Sequence, residues 1–449
     1  MGHEFSFHPF NLLGLVGLIG IAFLFSRNKK AVNWRLVIVG VSIQFVLALI
    51  VLQPKVQLHV FKPIDSLVQA LLGFSKTGAD FVMQSVEKHD ALEYINVKQA
   101  DGTFKEEVKQ QMVVGRTNPA VKTFAFWILP TVIFFSSIMT LLYYFGVMQP
   151  IVKVLAKIMQ KLMGTSGSES TSCSANIFMG QTEAPLVIKP FVASMTKSEL
   201  HAVMVGGFGT VAGGVLAMYA AVLQGIPGIA GHLVTASVMA APGALVMSKI
   251  LYPETEESNT MGEVKIEVER TDGNFIEAAA RGASEGMQLV INIVAMLIAF
   301  VALVALLDAC FVNILSPILN MFGMDVSLTF TKVLGWVFTP FAFLMGTPWE
   351  EIPLIGRLLG EKVVLTELLA YFHLAEMVEQ GTISPRAQLL ASYALCGFAN
   401  FASIGIQLGG IGGIAPNRKG DLAQLGLTAM FGGLLVTCGT ATIAGVFLG

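Results

Sequence analysis

The chain has 449 residues, 54% of them hydrophobic and 13% charged, with a mean hydropathy of +0.70 and a formal net charge of −2. Soluble domains carry about 25% charged residues, so this composition belongs to a polytopic membrane protein, and the lack of a basic excess excludes a nucleic-acid partner. Cys173, Cys310, Cys396 and Cys438 show no metal-ligand or redox spacing, and the seven histidines form no HxxH or HExxH motif, which points to free thiols and away from a metal centre.

Residues 11–26 form a first apolar span. No A-x-A-type cleavage site follows, and the positive charges come after the run, so it reads as a membrane helix and not as a cleaved signal peptide. Arg27, Lys29, Lys30 and Arg35 make the next loop basic and hence cytoplasmic, which puts the N-terminus outside. Residues 36–53 return outward. Residues 54–121 hold Glu87, Lys88, His89, Asp90 and a charged run from Asp101 to Lys109, with no membrane-length apolar stretch; they read as an external segment with amphipathic pieces and no chemistry. Residues 123–146 span inward, with Pro130 expected to kink the helix. Over 148–163, Lys153, Lys157 and Lys161 recur every four residues. That spacing sets them on one face of a helix lying on the cytoplasmic membrane surface.

The stretch from Asn176 to Pro185 follows, within a polar segment, 164–199, whose ends both look cytoplasmic. It sets Gln181, Thr182 and Glu183 side by side, with Gly180 before and Pro185 after. A charged carboxyl at the centre of a membrane helix costs about 2.5–3.5 kcal/mol, so it implies a cavity and a partner. Glycine and proline break regular helix and free backbone groups for a ligand. The stretch reads as the tip of a re-entrant hairpin. Residues 200–224 span outward through Gly206-Gly207-Phe208-Gly209-Thr210-Val211-Ala212-Gly213-Gly214. These glycines either permit close helix packing or mark an unwound point whose carbonyls bind an ion. Residues 233–252 span inward, and Pro253 to Asn274 is an acidic cytoplasmic linker containing Glu254, Glu256, Glu257, Glu263, Glu267 and Glu269.

Residues 286–312 lead outward as a long apolar helix, and 328–346, with Trp336 and Pro340, lie along the outer surface. Residues 347–383 repeat the earlier device: Thr366 and Glu367 stand adjacent inside an apolar frame. The span 387–412 again carries a small, polar middle, Cys396-Gly397-Phe398-Ala399-Asn400-Phe401-Ala402-Ser403. Pro416-Asn417-Arg418-Lys419 is a basic, cytoplasmic loop, and 422–448 is a final span ending outside. Span, surface helix, polar hairpin, broken span and span therefore occur twice, in opposite orientation. That inverted repeat points to a secondary transporter with its site at mid-membrane. The chain divides into a scaffold (1–122), a first half (123–252), a linker with a surface helix (253–285) and a second half (286–449).

Gly180-Gln181-Thr182-Glu183-Ala184-Pro185-Leu186 with Lys189-Pro190-Phe191, and Ala394-Leu395-Cys396-Gly397-Phe398-Ala399-Asn400-Phe401-Ala402-Ser403-Ile404, resemble the signatures of the concentrative nucleoside transporters. The resemblance runs over nearly the whole chain and is weakest in 54–121. It implies an all-α membrane protein with eight transmembrane helices and two re-entrant hairpins, assembled as a homotrimer in the inner (cell) membrane. The family imports nucleosides on a sodium or proton gradient. By the resemblance, Gln181 and Thr182 hydrogen-bond the nucleobase, and Glu183 helps bind the nucleoside. Glu367, Asn400 and Ser403 bind the ribose hydroxyls, while Val215 and Phe398 give apolar contact. Carbonyls of Asn176, Met179, Thr210 and Val211, with the Thr210 hydroxyl, hold the sodium. The chemistry of these types agrees, since carboxylate and amide oxygens accept from ribose hydroxyls and a hard cation suits oxygen ligands. Thr366 departs from the frequent Asn, Ala402 from a frequent Ser, and Thr210 from a common Ser. Gly180 resembles members that take purines as well as pyrimidines.

Glu350 and Glu351 are sequence neighbours and do not share a helix face, so they read as structural. His201 and His373 read as satisfied interfacial residues, and Asp308 as reaching solvent. An intramembrane enzyme acting on a nucleotide-linked lipid would need a DDxxD or HxxxD cluster, which the sequence lacks. Two inverted hairpins favour alternating access over an open channel.

Overall fold

The structure, a computed structural model, describes residues 7–53, 56–83, 86–98, 104–116, 124–261, 272–321 and 328–448. Apolar segments generate helices wherever a capping residue starts them. Helices α1 (Phe10–Leu24) and α2 (Trp34–Val51) form a first pair, and the Asn33 side chain caps the amide of Leu36. Helix α3 (Lys62–Met83) follows. Strands β1 (Val86–Lys98) and β2 (Phe104–Arg116) then pair antiparallel, from Val86 opposite Arg116 to Lys98 opposite Phe104. This hairpin is a local exception in an otherwise helical chain. Asp101, within the expected charged run, lies outside the described residues.

Helix α4 (Leu129–Tyr144) follows a π-helical turn, Phe124–Ile128, and carries Pro130 in its first turn, so the proline stands at this irregular junction. A bend of 78° leads into α5 (Met148–Met163). There Val152, Ala156, Met159 and Met163 are buried while Lys153, Lys157 and Lys161 are exposed, as the four-residue spacing requires. Gly164, at φ +72°, ends α5 in the left-handed region.

Hairpin one begins with α6 (Gly167–Ala175), started by a capping box between Ser166 and Glu169. Its return arm, Ala184–Ile188, packs back against α6. A second capping box, Thr196 with Glu199, starts α7 (Lys197–Gly209). The backbone turns extended at Thr210 and resumes as α8 (Gly213–Val222). The run is both broken and closely packed. The helix is unwound at 210–212, and Gly207 and Gly209 lie where a Cβ would come within 2.7 Å of Gln407 and 2.9 Å of Val436. Helix α9 (Ile229–Leu251) crosses the centre of the molecule.

Helix α10 (Phe275–Cys310) is capped by Asn274. It begins 11 residues before the expected 286, so the surface helix assigned to the end of the linker is instead its first turns. Glu263, Glu267 and Glu269 of the linker lie outside the described residues. Gly282 and Gly286 press α10 onto α4, where a Cβ would lie 2.8 Å from the Ser136 carbonyl oxygen and 2.7 Å from the Ile133 Cα. Helix α11 (Phe330–Leu344) packs on the first arm of hairpin two, α12 (Ile352–Val364), and its second arm is α13 (Glu367–Glu379). Helix α14 (Pro385–Leu395) breaks at Cys396, and α15 (Phe401–Ile414) resumes under an Asn400 cap. Helix α16 (Lys419–Phe447) closes the core against α7, α9 and α14.

By length and apolarity, five helices among the described residues can cross a membrane, or six if α4 and α5 count as one bent span. Eight spans were expected. Helix α1, at 15 residues, and α15, at 14, are apolar but short, because the chain enters late at one and breaks before the other.

Candidate functional site

The tips of the two hairpins and the two broken helices enclose a cavity of about 530 Å³. All eight residues expected at a substrate site line it: Gln181, Thr182 and Glu183 from hairpin one, Val215 from α8, Glu367 from hairpin two, and Phe398, Asn400 and Ser403 from the second break. Local structure explains their placement. Thr366 caps the Leu369 amide, so Glu367 is the first residue of α13, where the helix dipole favours negative charge. Asn400 caps α15 through the Ser403 amide at 2.8 Å and gives its other end, Nδ2, to Glu367 Oε2 at 2.8 Å. Glu367 Oε1 accepts from the Tyr219 hydroxyl at 2.5 Å. In hairpin one, the Thr182 hydroxyl donates to Glu183 Oε1 at 2.7 Å. Gln181 Oε1 accepts from Gln407 Nε2 at 3.0 Å, and no described bond engages its own Nε2. Gly180 leaves room for Glu183, whose Oε2 would lie 2.0 Å from a Cβ there.

Of the four residues expected to hold a cation, Met179 reaches the cavity, and Asn176, Thr210 and Val211 stand behind it. The tip is tied to the broken helix by the Gly213 amide, which donates to the Phe178 carbonyl at 3.0 Å. No described hydrogen bond reaches the carbonyl oxygens of Asn176, Met179, Thr210 or Val211. The Asn176 side chain is buried with neither Oδ1 nor Nδ2 partnered. Buried carbonyls without donors are rare, and a hard monovalent cation is the ligand that suits them. Among the described residues no group of three or more His, Cys, Asp or Glu could hold a metal ion.

Sequence reasoning missed several lining or supporting residues. Tyr219 follows Val215 by four in α8, and Gln407 follows Ser403 by four in α15, so helical spacing alone aligns each with a named residue. Arg281, Glu285, Gln288 and Asn292 recur at intervals of four, three and four along α10 and face the cavity as a polar strip. The remaining candidates resolve structurally. His201 bonds the Ser248 hydroxyl at 2.7 Å, and His373 bonds Glu361 at 2.7 Å. Glu351 accepts from the Ser384 hydroxyl at 2.7 Å, while Glu350 is exposed. Asp308 is half-buried and accepts from the Thr331 amide. All four cysteines are free.

Residues 13–86 match the family described as Na+ dependent nucleoside transporter N-terminus, 232–445 its C-terminus, and 125–225 a nucleoside recognition (Gate) family. An uncharacterised Bacillus subtilis transporter, YutK, is 41% identical over 438 residues, covering 97% of this chain and 98% of the relative. Mouse sodium/nucleoside cotransporter 1 is 37% identical over 96% of this chain, which spans 63% of that longer protein. The structure of CNTnw in an inward-facing substrate-bound state superposes with a TM-score of 0.81 at 37% identity, over 97% of both chains.

Proposed function

The chain belongs to the Na+-dependent nucleoside transporter family, and from that premise we propose that it imports nucleosides by sodium symport, with the cavity between the hairpin tips as the alternately exposed site. It is a multi-pass membrane transporter and not an enzyme, and sodium is its coupling ion. The observation that carries the site assignment is the arrival of Glu183 and Glu367, from opposite halves of the chain, in one cavity.

In this reading, Glu367, Asn400 and Ser403 receive the ribose hydroxyls, and Gln181 and Thr182 address the base. Glu183 assists them, and Val215 and Phe398 cover the apolar faces. A nucleoside lacking a hydroxyl would leave buried polar groups unpaired, which gives selectivity. Sodium bridges the carbonyls of Asn176, Met179, Thr210 and Val211 and so fixes the tip that carries Gln181 to Glu183. Binding of ion and substrate is thereby linked, because each orders a surface the other needs. Eight spans with both termini outside, two re-entrant hairpins, and a homotrimer formed through α10 complete the proposal. The most hydropathic stretch of α10 has no buried residue within the chain, and Ile291, Ile298 and Leu306 on it are exposed, which supports a covering partner. The proposal extends to both pyrimidine and purine nucleosides, on the resemblance of Gly180 to family members that take both.

The test is uptake of labelled uridine into proteoliposomes, with sodium replaced by choline at fixed pH. Accumulation should require sodium. Accumulation on a proton gradient alone would transfer the coupling to protons, and none under either gradient would end the symporter reading.

A further inference from the structure

Two lysines are buried as deeply as the aliphatic core, and their surroundings differ. Lys249 meets Glu169 at 2.8 Å and Glu254 at 3.4 Å. Lys362, on α12 of hairpin two, is 0% exposed, and no carboxylate among the described residues pairs with it. Its Nζ donates instead to the Ala394 carbonyl at 2.8 Å and to Thr437 Oγ1 at 2.8 Å. Ala394 lies in the last turn of α14, where carbonyls lack amide partners and the helix dipole leaves partial negative charge. Lys362 therefore caps a broken helix from across the hairpin and binds α12, α14 and α16 at one point.

The first half has the same junction, a hairpin tip against the last turn of a helix that breaks. There no described hydrogen bond reaches the carbonyl oxygens of Asn176, Met179, Thr210 and Val211. We propose that Lys362 is a fixed cation, whose ammonium fills in the second half the seat that a sodium ion fills in the first. This rests on the sodium reading given above. A tethered ammonium cannot leave. Glu367, Asn400 and Ser403 thus stay assembled throughout the cycle, while Gln181, Thr182 and Glu183 assemble only when the ion is present. The second half does not couple, and one ion accompanies each nucleoside. Lys362 acts as a positioning residue, through α14 and the Asn400 cap beyond its break, and does not touch the substrate.

The experiment is chemical rescue in proteoliposomes. Lys362→Ala should cut sodium-driven uridine uptake at least tenfold. Propylammonium, which matches the deleted atoms, should restore it, and choline should not. At high sodium the variant should recover activity with a Hill coefficient of about two, against about one for the wild type. A sodium-dependent wild type, together with a monodisperse Lys362→Ala that neither propylammonium nor high sodium restores, would overturn the fixed cation alone. Lys362→Ala behaving as the wild type would do the same. Wild-type uptake indifferent to sodium would overturn the first-half site, and the comparison with it. Should the alanine variant not accumulate, Lys362→Met keeps length and volume without charge. Its nucleoside affinity, measured by calorimetry, should fall at least tenfold, and wild-type affinity there would refute the proposal.

Discussion

Replacing Glu367 with glutamine keeps the side chain's shape and removes its charge. In the native site one carboxylate oxygen accepts from Tyr219 at 2.5 Å and the other from Asn400 at 2.8 Å. Glutamine can satisfy both neighbours. Its oxygen accepts from Asn400, and its amide donates to the Tyr219 oxygen, since a phenol both donates and accepts. Folding and assembly should therefore survive. The loss falls on the ligand. A hydrogen bond to a charged group contributes about 1.5–3 kcal/mol and a neutral one about 0.5–1.5 kcal/mol, so each ribose hydroxyl bound there loses about 1–1.5 kcal/mol. Two hydroxyls lose about 2–3 kcal/mol, or about 30- to 150-fold in affinity. Radiolabelled uridine uptake under an inward sodium gradient, with size-exclusion chromatography as the assembly control, reads the effect. Uptake within about threefold of wild type by a folded Glu367→Gln protein would refute the carboxylate's role.

Tyr219→Phe removes one charge-assisted bond to Glu367 without opening a cavity. Nucleoside affinity by calorimetry should fall about tenfold while the sodium requirement stays put. Gly180→Ser puts an atom where Glu183 Oε2 now lies, and the carboxylate must swing aside. The ratio of purine to pyrimidine uptake should change with the melting temperature held, and an unchanged ratio would count against a base-facing tip. Thr366→Val deletes the α13 cap and should cost about 0.5–2 kcal/mol of stability. Thr366→Asn, an equally good cap, should leave melting unchanged and bind ribose more tightly, as competition by nucleoside analogues lacking ribose hydroxyls would reveal.

Much of this site was legible in the sequence because membrane burial makes polar residues conspicuous. Glu183 and Glu367 stood out against apolar surroundings, and the glycines around Thr210 marked a break that the backbone makes at that residue. Ser166 with Glu169 and Thr196 with Glu199 are spaced as capping boxes and start the first arm of hairpin one and the helix that follows the hairpin. What stayed hidden depends on packing. Nothing local distinguishes Gln407 from a lipid-shielded amide until α15 folds beside Gln181. Lys362 lay in an apolar helix with no acidic neighbour at helical spacing to announce it. The β1–β2 hairpin was missed because its many charged residues leave no membrane-length apolar run, and the stretch read only as an external segment. The early start of α10 was missed because Arg281 and Glu285 read as linker when they in fact wall the cavity.

The backbone-to-backbone seam between α4 and α10 has a bearing on how any transport stroke is divided. Gly282 and Gly286 bring α10 close to the Thr140 hydroxyl and to the backbone of Ser136 and Ile133, and the Ser137 hydroxyl donates to the Ala279 carbonyl at 2.9 Å. Two rods clinched so closely cannot shear past each other without first separating. In the transport cycle proposed above they would act as a single stationary post, with the polar strip on α10 a fixed rail past which the hairpin tips and their cargo would travel.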